Sequence, residues 1–254
     1  MSKIHLDIAE VTKLHEEGRA QTIHGRLDQG LLKAAVYGAN DGIVTTFAVV
    51  AGVAGAGLPP SIILILGIAN MIADGLSMGI GDYLGERSER RYMKHQFEIE
   101  KWEIDHIPEE EKKELLHYFQ KRGASETESQ SLVKIITKHP KLWTELGFID
   151  EMGVVPEFEG ALWNTGLVTF ISFVIAGSLP LLPYFLEFLG APIQQSQQFV
   201  LSIISTAVAM FIVGSLRTFI TKGRWWLNGL EMLGIGAIAA TAAYFLGAWV
   251  EKLV

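Results

Sequence analysis

No cysteine occurs among the 254 residues, so disulfides and thiolate metal sites are excluded at once. The seven histidines (His5, His15, His24, His95, His106, His117 and His139) show no H-E-x-x-H motif and no other paired ligand spacing. A phosphate-binding glycine loop and a G-x-S-x-G nucleophile turn are missing as well, which removes the common signatures of nucleotide and acyl-transfer chemistry. The first 30 residues lack an apolar central run, so no cleavable signal peptide is expected. There is no basic excess: the formal net charge is −7, much of it between residues 86 and 160, which argues against nucleic-acid binding. Lys and Arg are also absent from two short stretches, 55–61 and 190–198.

Apolar residues are abundant and segregated. Blocks at roughly 34–56, 61–84, 162–189, 198–220 and 227–250 are each long enough to cross a hydrocarbon core of about 30 Å. The expected fold class is therefore an all-α membrane protein with five transmembrane helices and a cytoplasmic helical insert between the second and third. The expected domains are an amphipathic N-terminal segment (1–30), two spans (31–85), an acidic helical metal-binding domain (86–160) and three further spans (161–254). Ile4, Ile8 and Val11 give the first segment an apolar face suited to a membrane surface. Lys and Arg cluster before the first span, within 86–160 and after the fourth span, at Arg217, Lys222 and Arg224. The positive-inside rule then puts the N-terminus and the insert in the cytoplasm and the C-terminus outside. The compact chain, without sorting extensions, points to the plasma membrane of a prokaryote.

The stretch 69–91, A-N-M-I-A-D-G-L-S-M-G-I-G-D-Y-L-G-E-R-S-E-R-R, organises the rest. Asn70, Asp74, Met78 and Asp82 recur every four residues and so share one helix face. Acids inside a bilayer are costly and usually face a bundle interior or an ion path. No helix breaker follows until Pro108, so this helix is expected to run out of the membrane into the acidic segment. In the first span, Asp41 lies beside a small-residue face made by Gly38 and Gly42, which suggests a lined pathway; a shallow, water-exposed position is the alternative. Pro180 and Pro183 are expected to kink or close the third span near its outer end.

The acidic segment reads as four helical pieces. One continues the second span to Ile107. A second opens at Pro108 with three glutamates at its positive end and closes at Gly123. The third opens with the Ser125/Glu128 capping box and ends before Pro140, and the fourth covers about 142–152. Glu100 with Glu103, and Glu111 with Glu114, are i, i+3 pairs projecting from one face each. A reversal at Ile107–Pro108 would bring the four carboxylates together, and such a cluster is stable mainly with hard or borderline divalent cations bound. The spacing alone equally describes a solvated helix face.

Several motifs in order resemble the vacuolar iron transporter family: A-N-D-G at 39–42, S-M-G-I-G-D-Y at 77–83, the two Glu-x-x-Glu pairs, W-x₇-E-M-G at 143–153, P-L-L-P-Y at 180–184 and G-R-W-W-L-N-G-L-E-M at 223–232. The resemblance covers nearly the whole chain from Arg26 onward. It implies proton-coupled export of Fe²⁺, often with Mn²⁺, from the cytoplasm by a homodimer of five-span subunits, with the path between the subunits. By the same resemblance Asp41 and Met78 are the intramembrane ligands, and Glu100, Glu103, Glu111, Glu114 and Glu151 the cytoplasmic metal-collecting site. Metal ions and protons are then the partners, Fe²⁺ or Mn²⁺ the transported substrate, and no tightly bound cofactor is implied. The family is not one of enzymes. Three positions depart from its pattern. Gly147 stands where a methionine is usual, which leaves the soluble site all-oxygen and less selective. Asp82 replaces a glutamate, and Asp74 stands where a small neutral residue is expected, so that Asn70, Asp74 and Asp82 join Asp41 and Met78 as candidates for the pathway.

Two other classes compete. A membrane-anchored metal sensor or buffer would need the acidic domain but has no use for intramembrane acids. A carboxylate-bridged iron oxidase would need Glu-x-x-His partners; His106 follows Glu103 at that spacing, but Glu100 and Glu111 have no such mate.

Overall fold

The computed structural model describes residues 12–13, 16–17, 29–156, 158, 161–221 and 223–253. Ile4, Ile8 and Val11, which carry the expected amphipathic face, lie outside the described residues. The described elements from residue 29 onward are helices: α1 (Gln29–Gly55), α2 (Pro60–His106), α3 (Pro108–Lys121), α4 (Glu126–Ile136), α5 (Pro140–Met152), α6 (Trp163–Gly177), α7 (Leu182–Phe188), α8 (Gln195–Leu216), α9 (Thr218–Thr221) and α10 (Trp225–Glu251). They divide into two compact units, one formed by residues 1–82 and 163–254 and the other by Tyr83–Leu162. The single helix α2 supplies residues to both.

The first unit is apolar. Four of its helices (Gly30–Gly55 within α1, α2, α8 and α10) are long and apolar enough to cross a membrane. Helices α6 and α7 meet that test only together, as a pair bent by 66°. The third apolar block is thus broken rather than continuous, where Pro180 and Pro183 had suggested a kink or a closure. Proline lacks the N–H that the helical ladder needs, and Pro183 fits the first turn of α7 instead. Carbonyls at the break find side-chain donors on α8: Ser202 Oγ donates to Pro180 O at 2.6 Å, and Ser205 Oγ donates at 3.1 Å to Leu179 O, which also accepts from the Leu182 backbone N–H. Those bonds let non-helical backbone persist away from water.

Helix α1 is the hub of this unit, packing on α6, α8 and α10. Its closest seam is with α6. A Cβ at Gly38 would stand 2.5 Å from the Thr169 carbonyl oxygen, and one at Gly42 would strike that of Phe173. Two helices approach this closely only through small residues. Two cores pack along α1, one built by Phe47, Val50, Leu181 and Tyr184 and the other by Ile43, Ala209, Met210 and Met232. Outside, Ile65, Ile80, Ile175, Ile238 and Phe245 are each more than half exposed. So broad an apolar exterior would be a liability in water and is the ordinary surface of a membrane protein.

The second unit combines the end of α2 with α3, α4 and α5 around Ile104, Leu115, Val133, Ile136 and Trp143. Pro108 occupies the first turn of α3, with Glu109, Glu110 and Glu111 at its positive end. Ser125 caps α4, with both hydrogen bonds of the capping box to Glu128 in place. Helix α5 begins at Pro140, slightly before the expected start, because a proline at the first helical position costs no hydrogen bond. Phe97 of α2 meets Phe148 of α5 edge-on at 5.6 Å between ring centroids.

Candidate metal centre

Three elements of the second unit supply carboxylates to one place. Glu100 and Glu103 come from α2, Glu111 and Glu114 from α3, and Glu151 from α5. Glu100, Glu103 and Glu151 can each present an oxygen so that the three lie within 4.8 Å of one another. Glu111 and Glu114 stand beside them: with Trp143, Gly147, Asp150 and Glu151 they line one cleft. The i, i+3 pairs of α2 and α3 therefore face the same region, and α5 closes it.

Burial within the cluster is graded. Glu100 is 1% exposed and Glu111 6%, while Glu103 is half-buried and Glu114 and Glu151 are exposed. The buried Glu100 Oε1 has no hydrogen-bond partner among the described residues. Burial, then the charges of Glu111, Glu151, Glu103 and Glu114, raise the Glu100 carboxyl to about 8. Burial, then Glu114, Glu103 and Glu151, raise Glu111 to about 7. Glu151 is also raised, by burial and then by Glu103, Glu114 and Asp150.

The lysines and arginine nearby are engaged elsewhere: Lys112 pairs with Glu109, Lys113 with Glu110, and Arg122 with Asp150. Among the described residues no ion pair compensates the five clustered glutamates. An uncompensated, partly buried set of carboxylates either holds protons or binds a cation. Its donors are all oxygen, which suits hard and borderline divalent ions. His106 is not among the clustered ligands; its ring stacks on Trp102 with centroids 4.2 Å apart, and its Nδ1 lies 2.8 Å from the Trp102 carbonyl oxygen.

The intramembrane candidates all belong to the first unit. Asp41, Asn70, Asp74, Met78 and Asp82 are all half-buried. Asn70 Nδ2 donates to Asp74 Oδ2 at 2.7 Å, so the i, i+4 row on α2 is partly self-bonded. Asp41 on α1 feels the charge of Asp74, which makes these two carboxylates electrostatic neighbours. Asp82 differs from the rest of its row: its carboxylate accepts a hydrogen bond from the hydroxyl of fully buried Thr169 on α6. Two neighbours were not singled out from the sequence. Asp150 adds charge beside Glu151 and had a signal, being next to that residue in the W-x₇-E-M-G motif. Thr169 had none, because a threonine in an apolar block is unremarkable.

Comparisons with known proteins bear on the family to which the chain belongs. A family model described as the VIT family matches residues 32–248. A vacuolar iron transporter of Toxoplasma gondii is 32% identical over 249 residues, covering 96% of this chain and 81% of the relative. One from Centaurea cyanus is 34% identical, covering 82% of this chain and 83% of the relative. Vacuolar iron transporter 1 of Arabidopsis thaliana is 32% identical, covering 87% and 86%. The family match runs through the apolar helices and the acidic unit alike, and the relatives align over most of their own length. The chain belongs to the VIT family.

Proposed function

We propose that this membrane protein is a proton-coupled exporter that takes Fe²⁺, and also Mn²⁺, from the cytoplasm. The observation that carries this reading is the buried Glu100 carboxylate, whose Oε1 has no hydrogen-bond partner among the described residues, grouped with Glu103 and Glu151 and beside Glu111 and Glu114, with no ion pair to these five among the described residues. Glu100, Glu103, Glu111, Glu114 and Glu151 collect the metal on the cytoplasmic side. Asp41 and Met78 bind it within the membrane, where a thioether beside a carboxylate favours Fe²⁺ over Mg²⁺ and Ca²⁺. Asn70 and Asp74 continue the path, and Asp82 also ties α2 to α6 through Thr169. No resident cofactor is needed, since the metal is cargo.

Five spans follow if the bent α6–α7 pair crosses as one. Lys and Arg placement sets the N-terminus and the acidic unit in the cytoplasm and the C-terminus outside. A homodimer doubles the intramembrane ligands, giving two carboxylates and two thioethers around one divalent ion. The relatives are named vacuolar and come from eukaryotes, which gives no support to the expected prokaryotic plasma membrane.

The test is flux into proteoliposomes. With the acidic unit outside and a proton gradient directed outward, Fe²⁺ and Mn²⁺ should accumulate inside while protons leave. Metal uptake indifferent to the gradient would remove proton coupling. Metal binding without any flux would favour the anchored sensor or buffer.

A further inference from the structure

One face of α5 carries Trp143, Gly147, Asp150 and Glu151, at i, i+4, i+7 and i+8. Across from it α3 presents Glu111, Glu114 and Tyr118, and the cleft between them has room for one water-sized occupant, about 10 Å³. One wall is backed by a further carboxylate. Gly147 lies against Glu100, whose carboxyl carbon is 2.6 Å from where a Cβ of Gly147 would stand, and whose buried Oε1 has no hydrogen-bond partner among the described residues. Asp150 stands at the solvent edge of this cleft, and its ion pair is with Arg122.

That pair is fixed on one side and loose on the other. Arg122 Nη1 is 3.5 Å from Asp150 Oδ1, beyond ordinary hydrogen-bond length. The same nitrogen donates to the Tyr118 carbonyl oxygen at 3.2 Å, and the guanidinium lies over the Tyr118 ring, 3.4 Å from its centroid. Arg122 is also the C-cap of α3, where the helix dipole favours a cation. The arginine therefore keeps its place without Asp150, whereas Asp150 has no other hydrogen bond or ion pair among the described residues.

We propose that Asp150 is a further ligand of the metal centre and that Arg122 stands in for the metal while the cleft is empty: an entering divalent cation takes the Asp150 carboxylate from the guanidinium. The proposal rests on the metal-site reading above and adds to it a sixth carboxylate and a competing cation. Glu111, Glu114, Asp150 and Glu151 then share the ion, and Arg122 stays anchored on Tyr118, so the exchange strands no charge. Arg122 acts through Asp150 and is a positioning residue. It weakens metal binding by what its pair with Asp150 is worth, which eases release of the ion toward the membrane.

The experiment titrates Mn²⁺ into the full chain in detergent by calorimetry, in an Asp41→Ala background that silences the intramembrane site. Glu100→Ala alone tests the underlying reading. If it leaves affinity unchanged, the site assignment fails, and with it this inference. If Glu100→Ala weakens binding, Asp150→Asn should weaken it at least about ten-fold, the lower bound for residues that merely support a ligand. Arg122→Gln should instead tighten binding, roughly two- to five-fold, the worth of an exposed ion pair. In the Asp150→Asn background Arg122→Gln should change nothing, because the competition runs through that carboxylate. Long-range repulsion between Arg122 and the metal would give the same gain in both backgrounds, and a purely structural role for the pair would turn the gain into a loss. Either result, no gain from Arg122→Gln, or normal binding by Asp150→Asn would overturn the inference while leaving the five-glutamate site intact.

Discussion

Binding of a divalent cation to the acidic unit should expel protons in a number the structure sets. The perturbation is Mn²⁺ added to the metal-free chain at pH 7, with Asp41→Ala to silence the membrane site. Glu100, raised to about 8, and Glu111, raised to about 7, hold protons before metal arrives. At pH 7 these amount to roughly 0.9 and 0.5, so binding should release about 1.4 protons, because ligands must be deprotonated to coordinate. The release should grow to about 1.9 at pH 6 and shrink to about 0.3 at pH 8.5. Integrated between pH 7 and pH 6, this linkage weakens affinity roughly fifty-fold. The assay is calorimetry in buffers of different ionisation enthalpy, whose slope gives the proton count directly. Glu100→Gln should subtract about 0.9 from the count at pH 7. A slope of zero at pH 7, with affinity unchanged between pH 6 and 7, would refute the argument.

Metal-free protein should show the same charges as a stability effect in the acidic unit. Both folded values lie above the ordinary glutamate value of 4.5. The penalty is therefore absent below about pH 4.5, grows as pH rises through that value, and is complete above about 8, at up to about 1.4 kcal/mol per pH unit per group. Hydrogen-exchange protection of α5, corrected for intrinsic rate, should fall from pH 5 to 8 with chelator and recover with Mn²⁺; flat protection would contradict this. In vesicles, Asp41→Ala and Met78→Ala should each stop metal flux, Asp41 being the stricter requirement since only a carboxylate can exchange a proton for a cation. Asp74→Asn removes one of two mutually repelling carboxylates, so it should lower the proton-to-metal ratio read by a trapped pH dye; an unaltered ratio would remove Asp74 from the coupling. Thr169→Val should cost about 1–3 kcal/mol by leaving Asp82 without its donor, seen as a lower Tm in detergent, and an unchanged Tm would mean the α2–α6 tie contributes nothing.

Local chemistry was legible along the chain wherever one residue type dictates a backbone event. Pro108 opens α3, Ser125 with Glu128 opens α4, and the uninterrupted run from residue 60 to His106 is one helix. The apolar blocks likewise mark helices of membrane-crossing length, because burying a backbone in hydrocarbon demands long unbroken hydrogen-bonding. The exception is the third block. Its prolines suggested disturbance, but not the 66° bend, nor that Ser202 and Ser205 of α8 would donate to the Pro180 and Leu179 carbonyls there. Spacing also put Glu100 with Glu103 and Glu111 with Glu114 on helix faces, yet it could not say which faces meet. That was decided by how α2, α3 and α5 pack around Leu115 and Trp143, which sinks Glu100 and leaves Glu151 at the edge. Depth then separates the charges: the same side chain is raised to about 8 at residue 100 and to about 7 at residue 111. Residue type and periodicity determine what a helix offers along its length. Which groups lose water, and which share a cation, depends on contacts between residues far apart in sequence, as between Glu100 and Gly147.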